Sequence, residues 1–172
     1  MNSTSWWAAT KANPVALAAW LYDQYRGELE AAPRIEALRD AFAAGKPARI
    51  LSTIAKQERT HAAWVGELLA ARGLPVEVHA KADRYWRHVV PGVGDLATGA
   101  AIGAHAEEMR LERIRAIASD VEAPADIRAV FARILPQEEF HARAFASLST
   151  DEALRRTAGA HDLGRRALGL VA

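Results

Sequence analysis

The sequence predicts an all-α protein in which an antiparallel four-helix bundle, made of two duplicated helical hairpins, is followed by a fifth helix. Three observations support this prediction. Apolar residues recur at helical spacing in four long segments, the second and fourth segments match at an offset of 80 residues, and a long aperiodic stretch separates the two pairs. We expect one domain over residues 1–172, with the core bundle at about 14–148 and the C-terminal helix at about 151–168.

The composition agrees with one domain and excludes several classes of function. A chain of 172 residues with 51% hydrophobic residues can bury one sizeable core. The net charge of +1 predicts neither nucleic acid nor a membrane as partner, and the absence of a long apolar run or a signal-like N-terminus predicts a cytoplasmic protein. Because there is no cysteine, disulfides, thiolate metal sites and iron-sulfur clusters are excluded. Any metal chemistry must use His, Asp and Glu.

The first predicted hairpin consists of helices A and B. Asn13-Pro14 supplies an N-cap and a first helical residue, and the apolar periodicity then predicts helix A to about residue 43. Pro33 lies inside this helix and should bend or split it. Helix B begins after Gly45 and ends at Gly73.

A long crossover and a second hairpin follow. Residues 73–95 are rich in Gly and Pro and predict an extended connection, with one helical turn around Tyr85-Trp86. Asp95 is the expected cap of helix C, and Pro124 is expected in the first turn of helix D. A capping box at residues 149–152 predicts the fifth helix.

The internal repeat places one short motif in both hairpins. At the offset of 80, Glu58-Arg-Thr-His61 of helix B superposes on Glu138-Glu-Phe-His141 of helix D, and Gln57 superposes on Gln137. Glu and His three residues apart lie on one helix face and can bind the same ion. A single copy is common by chance on solvated helices. Two copies in register on apolar stripes instead indicate a built site.

Helices A and C each supply one further carboxylate. An offset of 79 pairs Glu28 with Glu107, whereas an offset of 80 would select Glu108. At about 100° per residue, Glu107 points within roughly 30° of the apolar face of helix C and Glu108 points more than roughly 100° away. We therefore predict Glu107. Glu28 lies in the middle of an apolar stripe, where an unpaired carboxylate is costly and a cation would compensate it.

These residues predict a dinuclear metal centre in the bundle core. Carboxylate oxygens and imidazole nitrogens suit two divalent ions, with iron first, manganese or a mixed iron-manganese pair as the alternative, and zinc next. Two carboxylates, Glu58 and Glu138, are expected to bridge the ions. His105 and Tyr25 are weaker candidates for a role at the site. The predicted ligands are Glu28, Glu58, His61, Glu107, Glu138 and His141.

This ligand pattern, with its long crossover between helices B and C, resembles the ferritin-like superfamily of di-iron carboxylate proteins, close to rubrerythrin and bacterioferritin. The resemblance implies chemistry in which a reduced metal pair reacts with dioxygen or peroxide. Three departures from the patterns of these families narrow the resemblance. A cysteine-free chain has no rubredoxin domain, Arg110 stands where rubrerythrins carry an extra carboxylate, and Arg59 stands where bacterioferritin has its haem-binding Met. We therefore expect no haem.

Three functions remain open at this point. The first is an oxidoreductase that uses dioxygen or peroxide and an external electron donor, with a small organic substrate as one option; a monomer or homodimer would suffice. The second is a ferroxidase or iron-storage protein, which needs a large closed assembly. The third is a bundle that binds metal without catalysis. A substrate would need an apolar channel, for which small residues of helix C such as Ala100, Gly103 and Ala104 are candidates, although close helix packing explains them equally well.

Overall fold

The computed structural model describes residues 2–79 and 84–170. Within these ranges the chain forms seven α-helices and no β-strand, which confirms the all-α prediction. No helix in the described ranges combines the length and the apolar character needed to cross a membrane. The single-domain boundaries and the cytoplasmic location stay predictions. The helices are α1 (Ser3–Lys11), α2 (Pro14–Phe42), α3 (Gly45–Ala70), α4 (Trp86–Val89), α5 (Leu96–Ser119), α6 (Ala125–Leu148) and α7 (Asp151–Ala167).

Four long helices make the bundle. Helix α2 packs along α3, and α5 packs along α6, so that the two predicted hairpins are both present. Contacts between α3 and α6 and between α2 and α5 join the hairpins, and α7 lies against α5. The ferritin-like bundle with an additional C-terminal helix is therefore confirmed.

The helix starts follow the predicted capping residues with two small differences. Asn13 accepts hydrogen bonds from two backbone N–H groups of the first turn of α2, and Asp95 accepts one from Thr98 N at 2.7 Å. Pro124 is the N-cap of α6 and not a residue of its first turn. The cap of α7 is Thr150, which accepts from Ala153 N at 3.1 Å.

Neither proline inside a helix splits that helix. Helix α2 runs without interruption through Pro33, and α6 runs through Pro136. Both prolines are on exposed faces, where water can hydrate the carbonyl that loses its N–H partner. Packing of the buried face then holds each helix together, with Ala32 and Ile35 next to Pro33 buried. Of the two effects expected of Pro33, bending or splitting the helix, the split does not occur.

Helix α1 is an element that the sequence did not predict. Asn2 caps it by accepting a hydrogen bond from Ser5 N. Trp7 is buried, and its indole nitrogen donates to Asp120 Oδ2 at 2.8 Å, while Lys11 Nζ pairs with the same oxygen at 2.7 Å. These contacts join the start of the chain to the end of α5. Because they span more than a hundred residues, no local pattern reveals them.

The crossover contains the predicted helical turn. Helix α4 begins directly after Tyr85 and continues into a 3₁₀ turn, Val90–Gly92; residues 80–83 of the predicted crossover lie outside the described residues. The Tyr85 ring lies against Gly164 of α7, where an added Cβ would come within 2.5 Å of the ring, and its hydroxyl is 2.8 Å from His161 Nδ1. These two contacts pack the crossover against α7.

Two apolar clusters fill the bundle and leave a polar layer between them. Along every long helix the buried residues change from apolar to acidic or histidine and back to apolar. On α3, for example, Ile54 and Ala55 precede the layer and Val65 follows it. On α6, Ile134 and Phe145 bound the layer in the same way. The polar layer holds the predicted ligands.

Candidate metal centre

The structure brings all six predicted ligand residues together inside the bundle. Helices α2 and α5 contribute one carboxylate each, and α3 and α6 contribute one Glu-x-x-His pair each. None of the six is more than 5% exposed. On α5 the cluster contains Glu107, whereas Glu108 is exposed, in agreement with the helical-angle argument. The members are Glu28, Glu58, His61, Glu107, Glu138 and His141.

The six residues form two overlapping groups of four, and in each group the potential ligand atoms lie within 4.8 Å of one another. One group adds Glu28 and His61 to a shared pair of carboxylates, and the other adds Glu107 and His141 to the same pair. The shared residues are Glu58 and Glu138. This grouping matches the sequence-based assignment of two ions bridged by two carboxylates, although the role of these residues as ligands remains a proposal.

A glutamine from the opposite hairpin holds each imidazole. His61 Nε2 is 3.1 Å from Gln137 Oε1, and His141 Nε2 is 2.9 Å from Gln57 Oε1. An amide oxygen can only accept, so Nε2 carries a hydrogen, and Nδ1 is the nitrogen that faces the carboxylates and that an ion would bind once it is deprotonated. Sequence comparison of the two halves paired Gln57 with Gln137 but gave them no role, because their partners lie across the bundle.

The unsatisfied atoms of the cluster fit a metal pair. When the imidazoles are neutral, as metal binding requires, each of the six residues has at least one buried oxygen or nitrogen that makes no hydrogen bond to the described residues, including both oxygens of Glu58 and Nδ1 of both histidines. Buried polar atoms in folded proteins are normally hydrogen-bonded or bound to an ion. Oxygen and imidazole donors are the ligands that iron, manganese and zinc prefer. The residues present therefore fit two divalent ions.

Arg110 also enters the cluster. Its Nη2 lies 2.5 Å from Glu28 Oε1 and 3.1 Å from Glu138 Oε1, and its Nη1 lies 3.6 Å from Glu58 and 3.9 Å from Glu107. The guanidinium thus faces all four carboxylates from one side. Sequence analysis identified Arg110 as a departure from rubrerythrins, but spacing alone does not tell whether a long side chain points inward or to solvent.

The carboxylates differ in their electrostatics because Arg110 lies closer to some of them than to others. Burial and repulsion by Glu138 raise the pKa of Glu58 to about 7, and the same two causes raise the pKa of Glu107 well above its usual range. Burial would also raise the pKa of Glu138, but Arg110 and the imidazoles hold it well below the usual range. For Glu28, burial would likewise raise the pKa, but Arg110 together with His61 lowers it.

The imidazoles attract protons in the absence of a metal ion. Burial lowers the pKa of His61, but Glu138 and Glu28 outweigh it and raise the pKa to about 10. The pKa of His141 is raised by Glu138 and Glu58 in the same way, against the effect of burial. A metal ion binds only the deprotonated imidazole and carboxylate. Ions and protons therefore compete for this cluster.

We expect the affinity for a redox-inert divalent ion such as Zn²⁺ to rise with pH between about pH 6 and pH 8, by at least about tenfold. The metal-free protein holds protons on His61 below about pH 10 and on Glu58 below about pH 7, and binding an ion displaces them. Titration calorimetry in two buffers with different ionisation enthalpies should show at least one proton released per chain. Affinity that is independent of pH, with no proton release, would contradict this assignment.

The two weaker candidates contact residues outside the cluster of six. His105 faces α7, with Nε2 3.1 Å from Thr157 Oγ1 and its ring stacked on His161. Tyr25 contacts the face of α3 at Gly66, where an added Cβ would come within 3.3 Å of the ring. Neither residue belongs to the two groups of potential ligands.

Comparison with known proteins supports the same conclusion as the geometry. A family model described as Rubrerythrin matches residues 20–149, a range that covers most of the chain and contains all six clustered residues. Separate searches of curated proteins and of solved structures found no match. The ligand pattern, the helical bundle and the family model agree. This chain belongs to the rubrerythrin family, within the ferritin-like superfamily.

Proposed function

We propose that this chain binds two divalent ions, iron first and manganese or a mixed pair as the alternative, and works as an oxidoreductase that reacts the reduced pair with dioxygen or peroxide. The observation that carries the proposal is the two overlapping groups of buried ligands that share Glu58 and Glu138. The buried atoms without hydrogen bonds in all six residues support it further.

The protein residues would position and tune the two ions. When bound, two ions that each change by one electron would supply the two electrons that, with two protons, convert hydrogen peroxide to two waters. Gln57 and Gln137 hold the imidazoles with Nδ1 directed inward. Arg110 places guanidinium N–H donors beside the cluster, where they can stabilise negative charge on an oxygen ligand. The electrons must come from an external redox protein or small reductant.

Metal content per chain is the first test of the proposal. We expect two ions per chain in the wild type after supplementation with iron or manganese, measured by elemental mass spectrometry. Glu107→Gln should reduce this to one ion or none, because it removes a ligand of one group. Glu108→Gln is the matched control, since this neighbour on the same helix is exposed and should keep both ions. Equal content in the two variants would show that the helix C ligand is misplaced.

Turnover and assembly distinguish the proposal from the other two functions. Iron(II)-loaded protein in a stopped-flow instrument should consume peroxide or dioxygen repeatedly when a reductant is present. A large closed shell on gel filtration that accumulates an iron mineral would instead favour storage. Two bound ions without any consumption of oxidant would leave a metal-binding bundle and reject the oxidoreductase.

A further inference from the structure

An apolar cavity of about 270 Å³ lies between α2 and α5 and ends at the metal centre. Glu107 and Arg110 form part of its wall, so a molecule in the cavity would reach the ligands directly. Apart from Arg34, the other side chains of the wall are apolar. Its principal side chains are those of Ile35, Leu38, Trp86, Ile102 and Phe145.

Two glycines of α5 allow the helix to approach the side chains that line this cavity. A Cβ on Gly99 would overlap Leu38 Cδ1, and a Cβ on Gly103 would come within 2.7 Å of the Phe145 ring. Both glycines line the cavity. Of the small residues that the sequence offered for a channel, Gly103 lines the cavity and Ala100 and Ala104 do not. Gly103 therefore both lines the cavity and packs closely against Phe145, and its role in a substrate channel stays a prediction.

The charge of the loaded centre is positive. Four carboxylates contribute −4, two divalent ions contribute +4, and Arg110 adds one further positive charge in contact with Glu28 and Glu138. An uncompensated charge in a buried site is costly, so the loaded centre favours one monoanionic ligand. Rubrerythrins that carry an extra carboxylate in place of Arg110 would have the opposite balance.

Arg110 can meet such an anion at the cavity wall. Its side chain is 24% exposed, whereas none of the six ligand residues is more than 5% exposed. Nη1 lies 3.6 Å or more from the cluster oxygens it faces, beyond normal hydrogen-bonding distance, so this nitrogen has donor capacity for another acceptor. A guanidinium with available N–H groups binds carboxylates well.

The volume sets the size of the ligand. A space of 270 Å³ is about nine times the roughly 30 Å³ that one water molecule occupies in the liquid. This leaves room for roughly ten non-hydrogen atoms. A small inorganic anion would balance the positive charge of the loaded centre but leave the apolar wall without contacts. A neutral hydrocarbon would fill the cavity but leave that positive charge uncompensated.

We infer that the cavity binds a monocarboxylate with an apolar body, of roughly the size of octanoate, with its carboxylate towards Arg110 and its hydrocarbon between α2 and α5. This inference rests on the proposed metal centre and names the class of organic molecule that this centre receives. Ile35 and Ile102 contact the hydrocarbon from opposite helices, and Phe145 contacts it from α6.

The test measures binding of octanoate to the full chain loaded with Zn²⁺, which avoids turnover. Metal content is determined on the same sample, and binding is followed by calorimetry and by the shift in thermal unfolding. We expect octanoate to bind at least tenfold more tightly than 1-octanol, which lacks the charge, and than acetate, which lacks the apolar body. Removal of zinc with a chelator should weaken octanoate binding at least tenfold, because the metal charge that the carboxylate would offset is then lost.

Matched variants locate the site. Ala31→Leu adds bulk to the cavity wall and should reduce octanoate binding at least tenfold, whereas Ala129→Leu makes the same change at an exposed position of α6 and should not alter it. Protein that holds two zinc ions but binds octanoate no better than 1-octanol overturns this inference and leaves the proposed function intact. Protein that holds no metal overturns both.

Discussion

Replacing Glu58 or Glu138 by Gln is expected to abolish tight metal binding, yet the two substitutions should change the stability of the metal-free bundle in opposite directions. Both residues belong to both groups of potential ligands, so either change removes one oxygen donor from each ion. Loss of a shared carboxylate should lower the affinity for metal by at least about a hundredfold, as loss of even a supporting residue can do.

The opposite effects on stability follow from the position of Arg110. Glu138 lies 3.1 Å from Arg110 and 3.3 and 3.5 Å from the two imidazoles, so its charge is compensated in the metal-free protein. Its removal takes away a carboxylate shared by three buried cations and should destabilise the bundle by about 3 kcal/mol. Glu58 has a raised pKa because burial and the carboxylates of Glu138 and Glu28 oppose its charge. A neutral Gln at position 58 should leave stability unchanged or increase it by about 1 kcal/mol.

Urea unfolding in the presence of a chelator, at about pH 8 where Glu58 would otherwise be ionised, measures these differences. Glu139→Gln is the control for the change of charge on α6, because its side chain is 36% exposed and pairs with Arg115 at the surface. This control should keep its metal and its stability. Equal destabilisation by the two core substitutions would contradict the asymmetry, and retention of metal by either would contradict the assignment of the shared ligands.

The difference between Glu58 and Glu138 also shows which features the sequence alone does not predict. The repeat makes Glu58 and Glu138 equivalent, and the periodicity correctly brings both into one buried layer. The helical angle likewise separates Glu107 from Glu108, because it depends only on local geometry. Arg110 breaks the equivalence, and the direction of its side chain depends on the packing of four helices. No spacing rule contains that information.

The other differences between sequence and structure have the same origin. Helix α1 is held by the hydrogen bond from Trp7 to Asp120 and by the burial of its indole, which are long-range contacts. On local grounds Pro33 should bend or split α2, but packing of the buried face keeps the helix continuous. The orienting role of Gln57 and Gln137 depends on partners in the opposite hairpin. Patterns within one helix were predictable, and contacts between helices were not.

Replacing Arg110 by Met should increase the affinity for divalent ions by about tenfold or more and destabilise the metal-free bundle by about 3 kcal/mol. In the metal-free protein, Arg110 is a positive charge beside Glu28 and Glu138, so its loss leaves the buried carboxylates opposed only by the imidazoles. In the loaded protein, the same guanidinium repels the ions and competes for their ligands. At an effective dielectric constant of about 20, a unit charge at about 4 Å corresponds to roughly 4 kcal/mol, which more than covers a tenfold change.

Two measurements check this prediction on the same preparations. Competition with a chelator of known affinity gives the metal affinity, and urea unfolding with and without metal gives the stability of each state. Arg59→Met is the matched control, because this arginine is 54% exposed and pairs with Glu36 at 2.6 Å on the surface, where removal should cost less than about 1 kcal/mol. Arg110→Lys should give an intermediate result, since it keeps the charge but loses the planar fork.

If Arg110→Met binds metal more weakly than the wild type, the guanidinium supports the loaded centre and does not compete with it. The excess positive charge on which the inferred anion binding depends would then be wrong, and Arg110 would instead help directly to hold the metal-binding residues in place.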